Sequence, residues 1–415
     1  MKLSNNSKKN KLGVSKNVFV LGLVSFFNDV ASEMIYPLVP IFLTSVLAAP
    51  VAIVGLTEGF AESTASLLKV ISGWLSDKWQ KRKPLVVFGY SLSAISKILL
   101  GLASSWPFVL VARFIDRFGK GTRTSARDAL ITESSESTAR GRAFGFHRAF
   151  DTLGAVLGPL IALLAIHFLG NKFRLIFLLA FIPAFIGVLL LVFFVKERKK
   201  ETDSYSSTGK TPPAFHFNWH DLNPSFKIFL LISLIFSLGN SSDAFLILRA
   251  QNLGLSLTLV VLVYVLFNLT YSLLSTPAGI ISDKIGPKKV LLAGFLLFSA
   301  VYLSFGLAHS SLFLWFLFPI YGIYMALTEG VGKAYISNLV PQEKAGTAFG
   351  VYQTTVGLTT FFASFVAGLL WTYVGVSAPF VYGSLMATIS AFLFIILEKN
   401  KTVKSVPATS STSFN

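Results

Sequence analysis

The sequence predicts an all-α membrane protein, with twelve transmembrane helices arranged as two pseudo-symmetric six-helix bundles. Three observations predict it: the composition, the number of long apolar runs, and two motifs repeated at nearly one interval. The chain has 415 residues, of which 53% are hydrophobic and 13% charged, with a mean hydropathy of +0.67. A soluble domain carries about 25% charged residues. A soluble chain this apolar would expose hydrocarbon to water, whereas lipid accepts such a surface. The 40 phenylalanines suit lipid-facing and helix-packing positions.

A membrane helix needs about 20 mostly apolar residues. Six runs qualify in the first half: Val18–Thr44, Val51–Leu75, Leu85–Ala103, Trp106–Leu130, Ala143–Phe168 and Phe173–Val195. Six follow in the second: Phe226–Arg249, Leu257–Ile281, Val290–Ala308, Leu312–Ser337, Thr347–Tyr373 and Ala378–Leu397. They are numbered spans 1 to 12 here. Five lysines from Lys2 to Lys16 followed by an apolar run outline a signal peptide, and Leu47-Ala48-Ala49 resembles a cleavage site. The run is too long for one, however, and it carries Asp29 and Glu33. It reads as a retained first helix.

Twelve spans put both termini on one side. Lysines in the N-tail and Lys399, Lys401 and Lys404 in the C-tail make that side the cytoplasm. The predicted inner loops then hold Lys78, Lys81, Arg82 and Lys83, then Arg140 and Arg142, then Lys196 to Lys200, then Lys284, Lys288 and Lys289. The opposite loops hold little beyond Lys172 and Arg174. This asymmetry accounts for the net charge of +17 as a topology signal. No basic stripe of the kind duplex binding needs is visible, so nucleic acid is not expected as a partner. The expected organisation is an N-tail over 1–16, a bundle over 17–195, a flexible cytoplasmic linker over 196–225, a second bundle over 226–397 and a C-tail over 398–415.

The halves repeat. Gly73-Trp-Leu-Ser-Asp77-Lys78 recurs as Gly279-Ile-Ile-Ser-Asp283-Lys284, and Gly141-Arg-Ala-Phe-Gly145 recurs as Gly346-Thr-Ala-Phe-Gly350. Internal repeats are an architecture of secondary transporters. At these residues the chain resembles the major facilitator superfamily over its whole length. Gly73 to Arg82 is similar to that family's loop between helices 2 and 3, with Gln80 where a second glycine is usual. Arg113 on span 4 matches an arginine many members carry. Gly154-Ala-Val-Leu-Gly158-Pro159 on span 5 is similar to the antiporter motif of drug-exporting members, without its trailing small residues. The resemblance implies a rocker-switch carrier with a solute site near the bilayer centre. It places Gly73, Asp77, Arg82, Gly279 and Asp283 at the inner gate, with capping and loop ion pairs as their structural role.

Charge within hydrocarbon marks interior or wet positions. Span 1 has Asn28, Asp29 and Glu33; span 2 has Glu58, Glu62 and Lys69; span 3 has Lys97. Span 4 carries a basic stripe, Arg113, Arg117, Lys120 and Arg127, with Asp116, Arg123 and Asp128 beside it. Span 5 opens with His147, Arg148 and Asp151. The stripe cannot face lipid and is expected to pair with neighbouring carboxylates. By analogy with the family, Asp29 or Glu33 is the partner of Arg113. Glu58 is expected closer to the outer surface. The second half is poorer in charge: Asp243 and Arg249 on span 7, and Glu329 and Lys333 on span 10, four apart as a favourable intrahelical pair.

Burial makes a carboxyl hold its proton and a nearby arginine releases it. Asp29, Glu33 and Asp151 are therefore candidate proton carriers, with Arg113, Asp116 and Arg117 as charged partners and His147 with Arg148 as a relay. Candidate solute contacts are Asn28, Glu58, Glu62, Asp243, Tyr264, Asn268, Glu329, Lys333, Tyr352 and Gln353. Gly154, Gly158 and Pro159 permit close helix approach and a bend.

No cysteine is present, which excludes thiol chemistry and Cys-based metal sites. Neither a Walker loop nor a His-Glu-x-x-His motif occurs, so no enzyme activity, metal or cofactor is expected. The leading function is proton-coupled efflux of a small organic compound across the cytoplasmic membrane, by a protein working as a monomer. One alternative is uptake or exchange of an anionic metabolite or metal-chelating organic acid at the basic stripe. Another is a non-transporting sensor or scaffold. Full pairing of Arg113 and Arg117 with acids disfavours an anion trap; unpaired arginines favour one.

Overall fold

The computed structural model describes residues 14–79, 81–135, 140–197, 223–340 and 345–399. The inter-bundle linker beyond residue 197 and most of both expected tails lie outside them. The helices are α1 (Lys16–Ile35), α2 (Val39–Ile41), α3 (Val51–Trp79), α4 (Lys83–Leu102), α5 (Trp106–Glu133), α6 (Arg140–Leu169), α7 (Phe173–Phe194), α8 (Pro224–Gly239), α9 (Ala244–Asn252), α10 (Leu257–Ile285), α11 (Pro287–Leu307), α12 (Leu314–Leu339), α13 (Ala345–Tyr373) and α14 (Ala378–Lys399). They make twelve spans in two six-helix bundles. Eleven are long and apolar enough to cross a membrane by themselves. The twelfth is span 4 (α5), whose charges break its apolar run. Its packing against spans 2 and 3 buries Arg113, Asp116, Arg117 and Arg123.

Spans 1 and 7 are not the continuous helices that the hydropathy suggests. In span 1, α1 ends at Ile35, residues 36–38 form a turn, and α2 leads into a π-turn over Phe42–Val46. Pro37 and Pro40 supply no backbone donor, and their rings crowd the preceding turn. In span 7, α8 stops at Gly239 and α9 begins at Ala244. The intervening Asn240-Ser241-Ser242-Asp243 carries side chains that compete with helical hydrogen bonds. Ser242 Oγ accepts from the Ala244 N–H at 3.3 Å. The Ser242 N–H donates in turn to Ser364 Oγ on span 11 at 3.1 Å. Spans 1 and 7 open the two repeated halves, so the break itself is repeated.

The bundles meet along spans 2 and 11. A Cβ on Gly55 would lie 2.1 Å from the Ser364 carbonyl oxygen, and one on Gly357 would lie 2.2 Å from Ser66 Cβ. Only glycine allows that approach. Away from the termini, Gln251 Nε2 donates to Ser45 Oγ at 2.9 Å and the Ala52 N–H donates to Thr372 Oγ1 at 3.1 Å. Two turns nearer the termini, a Cβ on Gly350 would meet nothing within 4 Å. The seam is shut on the far side.

Candidate functional site

Span 4 presents its stripe to span 2. The two helices run in the same direction, so a pair spaced by four on one meets a pair spaced by four on the other. Arg113 holds Glu58 through two bonds, Nε to Oε1 at 2.9 Å and Nη2 to Oε2 at 2.6 Å. Their side chains are 2% and 1% exposed. One turn on, Arg117 Nη2 lies 2.8 Å from Glu62 Oε1. Both expectations for this pair thus change: Arg113 meets Glu58 and not Asp29 or Glu33, and Glu58 is buried. On the other side of span 4, Asp116 Oδ1 accepts from Lys97 Nζ at 2.7 Å, and Arg113 Nη1 stands 3.8 Å from Asp116 Oδ2. Lys97, wholly buried on span 3, is a member of this network that the sequence marked only as a charge.

A second polar layer lies nearer the termini. Ser25 Oγ is 2.8 Å from His147 Nε2 and 3.0 Å from the Tyr90 hydroxyl, and Arg127 Nη1 donates to Ser25 Oγ at 3.2 Å. Asp151 approaches His147 Nδ1 at 3.6 Å. Arg123 lies over the Tyr90 ring at 4.4 Å and bonds Ser93. Arg82, at the start of α4, pairs with Glu133 at the end of α5 at 3.2 Å, tying the ends of spans 3 and 4. Gly73, Asp77 and Asp283 fall within α3 and α10, but their surroundings lie outside the described residues. A Cβ on Gly279 would meet nothing within 4 Å.

Asp29 and Glu33 stand apart from the arginine ladder, and neither has an ion-pair partner within 4 Å among the described residues. The two glycines of span 5 make room for them. A Cβ on Gly154 would lie 3.0 Å from Asp29 Cβ, and one on Gly158 would lie 2.7 Å from Glu33 Cβ. Pro159 follows inside the unbroken α6. Asn28 Nδ2 is 3.5 Å from Asp29 Oδ1, and its own Oδ1 is buried without a partner.

Hydrogen bonds then cross between the halves. The Tyr264 hydroxyl donates to Glu33 Oε2 at 3.0 Å. Tyr36 packs against Tyr264 with ring centres 5.7 Å apart, and its hydroxyl is 3.5 Å from Ser242 Oγ. Arg148 Nη2 donates to the Tyr271 hydroxyl at 3.3 Å, and that hydroxyl donates to Glu329. The Glu329 contact is therefore with span 8, and Lys333 lies exposed one turn further along span 10. Asp243 Oδ1 accepts from the Tyr321 hydroxyl at 2.7 Å. Asn268 donates to the Tyr264 carbonyl on its own helix at 3.1 Å, Tyr352 stacks on Phe229 at 6.0 Å, and Gln353 is half-buried. Tyr36 and Tyr321 were not among the residues singled out from sequence; lone tyrosines in apolar runs give no signal of their own.

Two bundles, broken first helices in each, ion pairs buried within the first bundle and hydrogen bonds crossing between the halves define a polytopic membrane carrier. The chain belongs to the Major Facilitator Superfamily, whose profile matches residues 21–248 and 228–413. It is 41% identical over 397 residues to the MFS-type transporter MJ1317 of Methanocaldococcus jannaschii, covering 94% of this chain and 97% of that protein. It is 25% identical to sugar efflux transporter B of Salmonella typhimurium, covering 85% and 88%. Among solved structures, a POT family transporter superposes with a TM-score of 0.77 at 14% identity, covering 95% of this chain and 98% of that one. The nucleoside transporter NupG superposes at 0.74 and 13% identity, covering 92% and 99%. Similarity at that level speaks for the fold alone.

Proposed function

We propose that this secondary transporter exports a small organic compound in exchange for protons, across the cytoplasmic membrane with both termini inside. The carrying observation is the segregation of charge. Arg113 and Arg117 are occupied by Glu58 and Glu62, while Asp29 and Glu33 have no base within 4 Å among the described residues. A carboxylate with no fixed counter-charge is free to take up and release a proton as its surroundings change. Glu33 hydrogen-bonds Tyr264 of the other half, so its environment changes whenever the halves rock apart. The similarity to a sugar efflux transporter supports the outward direction. The occupied arginines weigh against an anion trap. One observation favours the anion reading: Lys120, on the same stripe, has no ion-pair partner within 4 Å among the described residues.

The test is solute-driven proton flux in proteoliposomes. Asp29→Asn or Glu33→Gln is expected to cut coupled flux by about tenfold or more, as expected of a group whose charge state is part of the cycle. Undiminished proton flux in both variants defeats the proposal. Flux driven by organic anions and lost in Lys120→Ala would move the assignment to anion exchange.

A further inference from the structure

The unwound segment of span 7 holds a carboxylate, Asp243, between the two halves. Asp243 occupies the N-cap position of α9, yet its side chain caps nothing. It turns instead to Tyr321, which donates to one oxygen at 2.7 Å. No base lies within ion-pair distance of it among the described residues. The nearby Arg113 stands 5.8 Å from the Tyr36 ring and is held by Glu58. Arg113 and Arg117 are taken up by Glu58 and Glu62, which leaves Glu33 and Asp243 outside the ladder. Asp243, Glu33 and Tyr36 are each only half-buried, although they lie between the bundles, so the cleft reaches them.

An uncompensated carboxylate in low dielectric is costly. Three aromatic rings, Tyr36, Tyr264 and Tyr321, come from spans 1, 8 and 10 and surround the same region. Ring faces attract cations, and a carboxylate oriented by one hydroxyl retains acceptor capacity for an ammonium donor. We infer that the transported solute is a cationic amine with an apolar or aromatic body, its charge held by Asp243 and its body set against Tyr36 and Tyr264. An anion would meet the Asp243 carboxylate here, and a neutral solute would leave it uncompensated. Tyr321 acts as a positioning residue that aims the carboxylate.

The inference deepens the proposed antiport and takes from it the placement of solute between the halves. Its test is equilibrium binding to the purified full-length protein in detergent, without any gradient, read by thermal shift and displacement. The probes are tetraphenylphosphonium and phenethylamine, against the isosteres 2-phenylethanol (neutral) and 3-phenylpropionate (anionic). Both cations are expected to bind, and the isosteres to bind at least about tenfold more weakly. Asp243→Asn should weaken the cations about tenfold or more, and Asp243→Glu should retain them. Tyr321→Phe, which leaves the carboxylate in place, should weaken them by less, which keeps the test open if Asp243→Asn misfolds. No cation binding, equal binding of the isosteres, or binding undiminished in Asp243→Asn and Tyr321→Phe overturns the amine site. Amine binding intact with proton flux absent would instead overturn the antiport alone.

Discussion

Glu58 and Arg113 illustrate what a single pair contributes at this depth. Both side chains are sealed from solvent and joined by two hydrogen bonds. Breaking such a pair leaves a buried charge, at a cost of about 3–5 kcal/mol, whereas replacing both partners with apolar groups is close to neutral. Glu58→Gln is therefore expected to lower thermal stability in detergent, and Glu58→Met with Arg113→Met to recover most of it. Equal losses in the single and double variants would count against the pairing. Sequence spacing placed Glu58 four residues before Glu62 and Arg113 four before Arg117, so a ladder was legible as two helical faces. Which acid faced which arginine was not, because that depends on the rotation and tilt of span 2 against span 4. The analogy that assigned Arg113 to span 1 ignored the glycines that seat Asp29 and Glu33 against span 5.

Those glycines act at the scale of the element. Spans 1 and 5 touch backbone to backbone, with a Cβ on Gly158 placed 2.8 Å from the Val30 carbonyl and 2.7 Å from Glu33 Cβ. Gly158→Leu must force the two helices apart and shift Glu33 away from Tyr264. The expected outcome is destabilisation of about 1–3 kcal/mol by overpacking, together with loss of coupled proton flux. Thermal unfolding and the proteoliposome assay read the two effects, and unchanged flux would detach Gly158 from coupling. The spacing of Gly154, Gly158 and Pro159 was visible in the sequence, but their neighbour was not. The breaks in spans 1 and 7 escape hydropathy for a related reason. Hydropathy averages over about 20 residues and passes over a few prolines or serines that interrupt the backbone ladder. Pro37, Pro40 and the run Asn240 to Asp243 did hold the local signal.

Over the whole molecule, the glycine seam and the Ser45–Gln251 contact hold the far side shut. Alternating access requires that contact to open. The chain has no cysteine, so Ser45→Cys with Gln251→Cys adds the only two thiols. Joining them with a short bifunctional reagent is expected to stop solute flux, while either single variant treated alike retains it. Continued flux in the joined protein would refute movement at this edge.

Hydropathy, charge asymmetry and repeated motifs are written along the chain, and they determined the membrane setting, the twelve spans, the duplicated halves and the family. Each is a local or periodic property that survives without knowing how helices turn. Tertiary structure alone decided the Glu58–Arg113 and Glu62–Arg117 pairs, the seats of Asp29 and Glu33, and the uncompensated Asp243 among tyrosines from three other spans. Those depend on helix rotation and on contacts between residues more than two hundred positions apart, such as Glu33 and Tyr264, which no periodicity encodes.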